Sequence, residues 1–220
     1  MLIEPFPILL AVLPLVAYLL MLGAIRLSGR SIVTTGGRDI AALGIAIAGL
    51  VAIGPAELFF PSAAAYVFGP YVWIALIAFY ALVVSLVALS MPPRLVVYGR
   101  KPDDLYEPLL AAARKIDPEA VAIDGWRVHL PSQGIHFRLD GFRDADHAQV
   151  IAFESGVPLA VWNDLLKHFR EEVDNAKPAK PSRQGHIMVV VALVLLVVVM
   201  TIGIRNQAEV VQGFREWLWR

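Results

Sequence analysis

The amino-acid sequence predicts an α-helical integral membrane protein with four transmembrane helices and a small α+β cytoplasmic domain, in which two helices cover an antiparallel sheet. Three observations carry that expectation. Of 220 residues, 58% are hydrophobic and 17% charged, too apolar for an ordinary soluble domain. Apolar runs near 6 to 25, 40 to 56, 71 to 91 and 187 to 204 approach the length that crosses a hydrocarbon core, about 20 residues. Between the third and fourth runs lies a mixed stretch, long enough for a small domain, with strand-like and helix-like periodicities.

The chain therefore divides into a three-helix transmembrane region (1–93), a cytoplasmic domain (94–175), a basic, proline-containing linker (176–186), a fourth transmembrane helix (187–204) and an interfacial amphipathic tail (205–220). The first apolar run is too long for a signal peptide, has no cation before it and carries its arginines afterwards, so it is expected to stay in the protein. Short cytoplasmic loops are rich in lysine and arginine. Arg26, Arg30 and Arg38 follow the first run, Arg94, Arg100 and Lys101 the third, and Lys177, Lys180, Arg183 and His186 precede the fourth. The N-terminal MLIEP has no cation and the 54–70 connection only Glu57 as a charge. This alternation puts residues 94–186 in the cytoplasm and both termini outside, an arrangement that suits a bacterial inner (plasma) membrane. Arg205, Arg215 and Arg220 on the outer tail run against it.

In the second run, Gly44, Ala48 and Ala52 recur at four-residue spacing, a small-residue seam that lets helix backbones approach, within the bundle or in a homo-oligomer. Pro14 is a candidate kink in the first helix. No Asp, Glu, Lys, Arg or His falls in the core of a run, which counts against proton relays, ion paths and intramembrane catalysis. The tail AEVVQGFREWLWR gathers Val210, Val211, Phe214, Trp217 and Leu218 on one helical face, for the membrane interface or for packing on a neighbouring loop.

Within the domain, LVVYG (95–99) reads as a strand, and a helix from about Asp104 presents Leu105, Leu109, Leu110 and Ala113 on one side. Asp124-Gly125 signals a two-residue type I′ turn that pairs Ile123 with Trp126 and Val121 with Val128. With PSQG (131–134) as the next loop, Leu130 meets Ile135 and Val128 meets Phe137, so one face is apolar and the other collects Arg127, His129, His136 and Arg138. QVIAFE (149–154) is a further strand, and Trp162, Leu165, Leu166, Phe169 and Val173 mark a last helix after Pro158. TTGGR (34–38) lacks the spacing and lysine of a phosphate loop and reads as a flexible turn.

Arg127, His129, His136 and Arg138 are the candidate site. In this register the two imidazoles oppose each other, half of a zinc or nickel site, but no third ligand is adjacent in sequence and flanking arginines repel a cation. An anion between facing arginines suits the charges better, whereas Asp140 and Asp124 could instead compensate them on an ordinary wet sheet face. His147 and His168 look isolated, and Asp144 with Asp146 is a weak cation pair. No metal, cofactor or catalytic residue is expected. Three functions remain, in this order: a non-enzymatic scaffold or accessory subunit docking a protein partner on the cytoplasmic side, a sensor of a small anion or lipid headgroup, and a membrane-anchored metal-dependent enzyme. Nucleic acid is not an expected partner. A tag inserted at residue 175 should be unreachable from outside intact cells and reachable once the membrane is opened; labelling from outside would reverse this topology.

Overall fold

A computed structural model describes residues 4–58, 60–142, 145–177 and 183–219. The expectations for Asp144, Lys180, the centre of the linker and Arg220 lie outside the described residues. The elements in chain order are α1 (Pro5–Leu27), β1 (Ile32–Thr35), α2 (Gly36–Ile53), α3 (Pro55–Leu58), α4 (Ser62–Phe68), α5 (Tyr71–Ser90), β2 (Arg94–Tyr98), a 3₁₀ turn (Pro102–Asp104), α6 (Tyr106–Ile116), β3 (Val121–Asp124), β4 (Arg127–Leu130), β5 (Ile135–Asp140), β6 (His147–Ala152), α7 (Leu159–Asn175), α8 (Arg183–Arg205) and α9 (Gln207–Leu218). Among the described residues four helices, α1, α2, α5 and α8, are long and apolar enough to cross a membrane. The chain forms two compact units, one of Met1–Met21, Ile40–Ser90 and Met188–Arg220, the other of Leu22–Asp39 and Met91–Ile187.

In the first unit, missing side chains set the helix packing. A Cβ on Gly49 of α2 would run into the Leu10 carbonyl of α1, and one on Gly44 would lie 2.9 Å from Val84 of α5. The Tyr80 hydroxyl of α5 donates to the Gly44 carbonyl at 2.7 Å, so a polar group in an apolar helix is satisfied by its neighbour. Gly44 is thus occupied within the chain, while Ala48 and Ala52 are half-buried. Most of α8 presents exposed valine, leucine and methionine, with Ala192 and Val199 turned inward.

Helix α9 packs on helix starts. Trp217 stacks on Trp73 at the beginning of α5, ring centroids 3.6 Å apart, and Trp73 Nε1 donates to the Trp217 carbonyl. Phe6 at the start of α1 sits edge-on to Phe214 at 5.8 Å, and Phe60 of the 54–70 connection lies 5.1 Å from Trp73. Val211, Phe214 and Trp219 of this tail are about half or more exposed.

The second unit is a six-stranded antiparallel sheet in the order β1-β2-β6-β5-β4-β3. Alternating apolar residues put Val33, Leu95, Val97, Val128, Leu130, Ile135, Phe137, Leu139, Ala148 and Val150 on one face, where α6 and α7 bury them. Of the expected stripes, Leu105 just before α6, Leu109, Leu110 and Ala113 of α6, and Trp162, Leu165, Phe169 and Val173 of α7 enter this core, with Leu166 partly buried against it. Phe137 meets Trp162 edge-on at 5.3 Å.

Two expectations are corrected. The stretch 32–38 is not a flexible turn: Ile32–Thr35 pairs with β2, and Gly36 already begins α2. The β-branched residues Ile32, Val33, Thr34 and Thr35 suit a strand, but the partner they require lies some sixty residues away. Gly99, at φ +87°, brings its Cα against the Arg30 carbonyl where a Cβ would be 2.5 Å from that oxygen, and buried Arg100 donates to Ser31 Oγ at 2.9 Å and to the Lys177 carbonyl at 2.6 Å. The connection between α1 and α2 is thereby built into the domain.

The second correction concerns β3. Gly125 does not take a positive φ, so no type I′ turn forms at Asp124-Gly125. Asp124 Oδ1 instead accepts from the Trp126 amide and Asp124 faces Arg127, with a register shift between Ala122 and Asp124. Val121 therefore faces His129 rather than Val128, and Ala122 faces Val128. A one-residue slip turns a strand over, leaving Val121 and Ile123 each 47% exposed. The β4–β5 pairing, by contrast, is the expected one at all four positions.

Replacing Gly49 by leucine should force α1 and α2 apart and lower stability by at least about 2 kcal/mol, read as thermal unfolding of the purified chain in detergent. An unchanged melting temperature would mean that the two helices do not meet there.

Candidate functional site

The hairpin of β4 and β5 turns at Pro131–Gly134, with Gly134 at φ +64°. Its core face is held by five buried residues, Val128, Leu130, Ile135, Phe137 and Leu139, which leaves Arg127, His129, His136 and Arg138 on the opposite face. Buried Asp117, just beyond α6, secures the loop by accepting from Ser132 N and Oγ at 2.9 Å and from the Glu119 amide at 3.0 Å. Burial opposes ionisation of Asp117, but the donors from Ser132 and Glu119 outweigh it and hold the carboxyl below its ordinary range. The sequence carries a trace of this anchor in Asp117-Pro118, a turn-initiating pair directly after a helix.

The structure brings all four candidate residues together. The His129 and His136 rings stack, centroids 4.1 Å apart and 7° from parallel. Glu154 grips His136 twice: its Oε1 lies 2.6 Å from the ring Nδ1 and its Oε2 accepts the His136 amide at 2.8 Å. Burial pushes the Glu154 pKa up, yet the two His136 contacts prevail and keep it below the usual glutamate range. Glu154 escaped the sequence reading because its contact depends on β6 lying beside β5, a neighbour relation that strand periodicity does not encode.

The facing arginines have separate partners. Arg127 Nε donates to Asp124 Oδ2 at 2.7 Å, and Arg138 Nη2 to Asp140 Oδ2 at 3.4 Å. Asp140 thus serves Arg138 rather than Arg127, because Asp124 is drawn to Arg127 by the shifted register of β3. Arg138 also lies over the Phe153 ring, 5.5 Å from its centroid. Among the described residues, no group of three His, Asp or Glu side chains converges to hold a metal ion.

A second polar cluster occupies the same sheet face at the other end. His147, opposite Tyr98 with rings 5.0 Å apart, is not isolated. Tyr98 donates to Asp39 at 2.6 Å, and Arg26 of α1 pairs with buried Asp146 at 3.4 Å. Burial, reinforced by Arg26 and Arg94 against Asp39 and Asp146, holds His147 below its ordinary value of 6.5. These neighbours come from residues 26, 39 and 94, too distant in sequence for spacing to reveal. His168 is not isolated either: its side chain is 25% exposed and Nδ1 lies 3.4 Å from Glu171 Oε2.

No family model, no curated protein and no solved structure matches the chain.

On acidification the pH dependence of these groups has one sign. Depressed carboxylates such as Asp117 and Glu154 contribute stability that is present above their unfolded values and lost as pH falls through their lower folded ones. His147 acts in the same direction at higher pH, because below 6.5 the unfolded chain binds a proton that the folded chain resists. Acidification from about pH 7.5 to about pH 5.5 should lower the melting temperature of the full chain, and His147→Gln should lessen that fall. An equal fall in both proteins would remove His147 as the cause.

Proposed function

We propose that the protein is a non-enzymatic membrane subunit that docks a protein partner on the cytoplasmic side, receiving a segment of it as an added strand along β3. The observation that carries this reading is the state of the two sheet edges. Edge strand β1 has one of its carbonyls engaged by its own chain, Arg170 of α7 donating to the Val33 carbonyl at 2.9 Å. All four residues of β3 are exposed, and it presents Val121 and Ile123 without a lysine, arginine or proline to discourage pairing. Exposed edges carry unused backbone donors and acceptors, and strand addition satisfies them while side-chain pockets supply selectivity.

The cytoplasmic assignment rests on two supports. Cations concentrate in the α1–α2 connection and at both ends of the α5–α8 connection. These connections also share one sheet through β1 and β2, which requires them to lie on the same side of any bilayer the helices cross.

Affinity capture of the full chain from native membranes in gentle detergent tests the proposal. A stoichiometric companion should be retained, and charging the edge with Val121→Lys plus Ile123→Lys should reduce its recovery about tenfold, the equivalent of about 1.4 kcal/mol. Absence of any companion, or equal recovery with the charged edge, would refute docking at β3.

A further inference from the structure

We infer that α9 lies in the headgroup layer of the leaflet at which α1 begins, with Val211, Phe214 and Leu218 immersed among the upper acyl chains, and that a zwitterionic lipid surface is sufficient to receive it. At about 3.6 residues per turn the helix divides into three sectors. Val210, Gly213 and Trp217 share the first, which meets the helix starts: a Cβ on Gly213 would fall 2.9 Å from that of Phe6, and Trp217 stacks on Trp73. Glu209, Gln212 and Glu216 share the second, all exposed, with Gln212 Nε2 donating to Glu216 Oε1 at 2.7 Å. Val211, Phe214 and Leu218 share the third, about 160° from the second around the helix axis. Val211 is 52% exposed and Phe214 47%, so α9 keeps an apolar face after packing on its neighbours.

The depth of α9 follows from the helix ends it touches. Phe6 is the second residue of α1 and Trp73 the third of α5, both long and apolar enough to cross a membrane, and α8 ends at Arg205 just before α9 begins. Where helices of that kind end, the bilayer surface lies. Glu209, Gln212 and Glu216 line a cavity of about 200 Å³ together with Glu4, which precedes α1 and so stands beyond the end of its span. The polar sector is thereby turned to the water, and the apolar sector on the other side of the helix is turned toward the hydrocarbon. All these residues belong to one compact unit.

The 54–70 connection reaches the same start of α5 and exposes more aromatic surface there, with Tyr66 94%, Phe68 62% and Tyr71 72% exposed. Amphipathic rings are favoured at headgroup depth, and a large exposed apolar patch marks contact with another surface. The charges of α9 are Glu209 and Glu216 against Arg215. Basic interfacial helices draw on anionic lipid, whereas this one is held by apolar immersion. The surface is separate from β3, so docking there can fail without bearing on it.

The full chain contains no cysteine, so single-cysteine variants carrying a nitroxide, reconstituted in phosphatidylcholine vesicles, test the placement. Oxygen and a water-soluble nickel chelate serve as relaxation agents. Oxygen should be the better agent at Val211→Cys and the nickel chelate at Gln212→Cys, with the oxygen-to-nickel ratio at 211 about fivefold above that at 212. Leu218→Cys, in the same sector, repeats the measurement should Val211→Cys not fold. Adding phosphatidylglycerol should leave the difference unchanged. Exclusion of both agents at 211 would mean that protein covers the face, preference for nickel there that water does, and a ratio that rises only with phosphatidylglycerol that the attraction is electrostatic. Each of these results would overturn the proposal.

Discussion

Backbone hydrogen bonding between Ile32–Thr35 and Arg94–Tyr98 is the interaction on which the organisation of this chain depends. It takes the short connection between two long apolar helices and makes it an edge strand of a sheet formed otherwise by residues far along the chain. The pairing brings Arg30 against Gly99, Ser31 onto Arg100 and Asp39 onto Tyr98. The last two are polar contacts that would be expensive to bury unmatched. The sheet therefore has the ends of α1 and α2 as part of its own structure, and its two edges differ: β1 gives its Val33 carbonyl to Arg170 of α7, whereas all four residues of β3 are exposed.

The two sheet faces divide the chemistry. Helices α6 and α7 cover the apolar face and supply a conventional core. The other face carries nearly every ionisable group in the strands and solves its electrostatics locally, pairing Arg127 with Asp124, Arg138 with Asp140 and His136 with Glu154. Facing like charges would destabilise a bare hairpin; here each is offset by a carboxylate from a neighbouring position.

In the helical unit, shape does most of the work. Gly49 lets the α1 backbone come into contact, Gly44 receives Val84 and the Tyr80 hydroxyl, and Gly213 gives room to Phe6. Aromatic rings from α1, α5, α9 and the 54–70 connection gather into one cluster around Trp73 and Trp217. Helices that cross a membrane associate by such close approach, because lipid supplies no hydrophobic drive between them.

Much of the architecture was legible in the sequence because it rests on local periodicity. Apolar length marked the four long helices, and the period-two alternation of 128–139 set the β4–β5 register, in which His129 meets His136 and Arg127 meets Arg138. Parity failed at β3, where an Asx-type contact from Asp124 competed with the Asp-Gly hairpin turn and won, turning Val121 and Ile123 outward. What depends on sequence-distant partners was decided only in three dimensions: the strand at 32–35, the grip of Glu154 on His136 and the cluster around His147. Residue spacing records how one element repeats against water or lipid. Which strand lies beside which follows from the joint packing of the whole sheet.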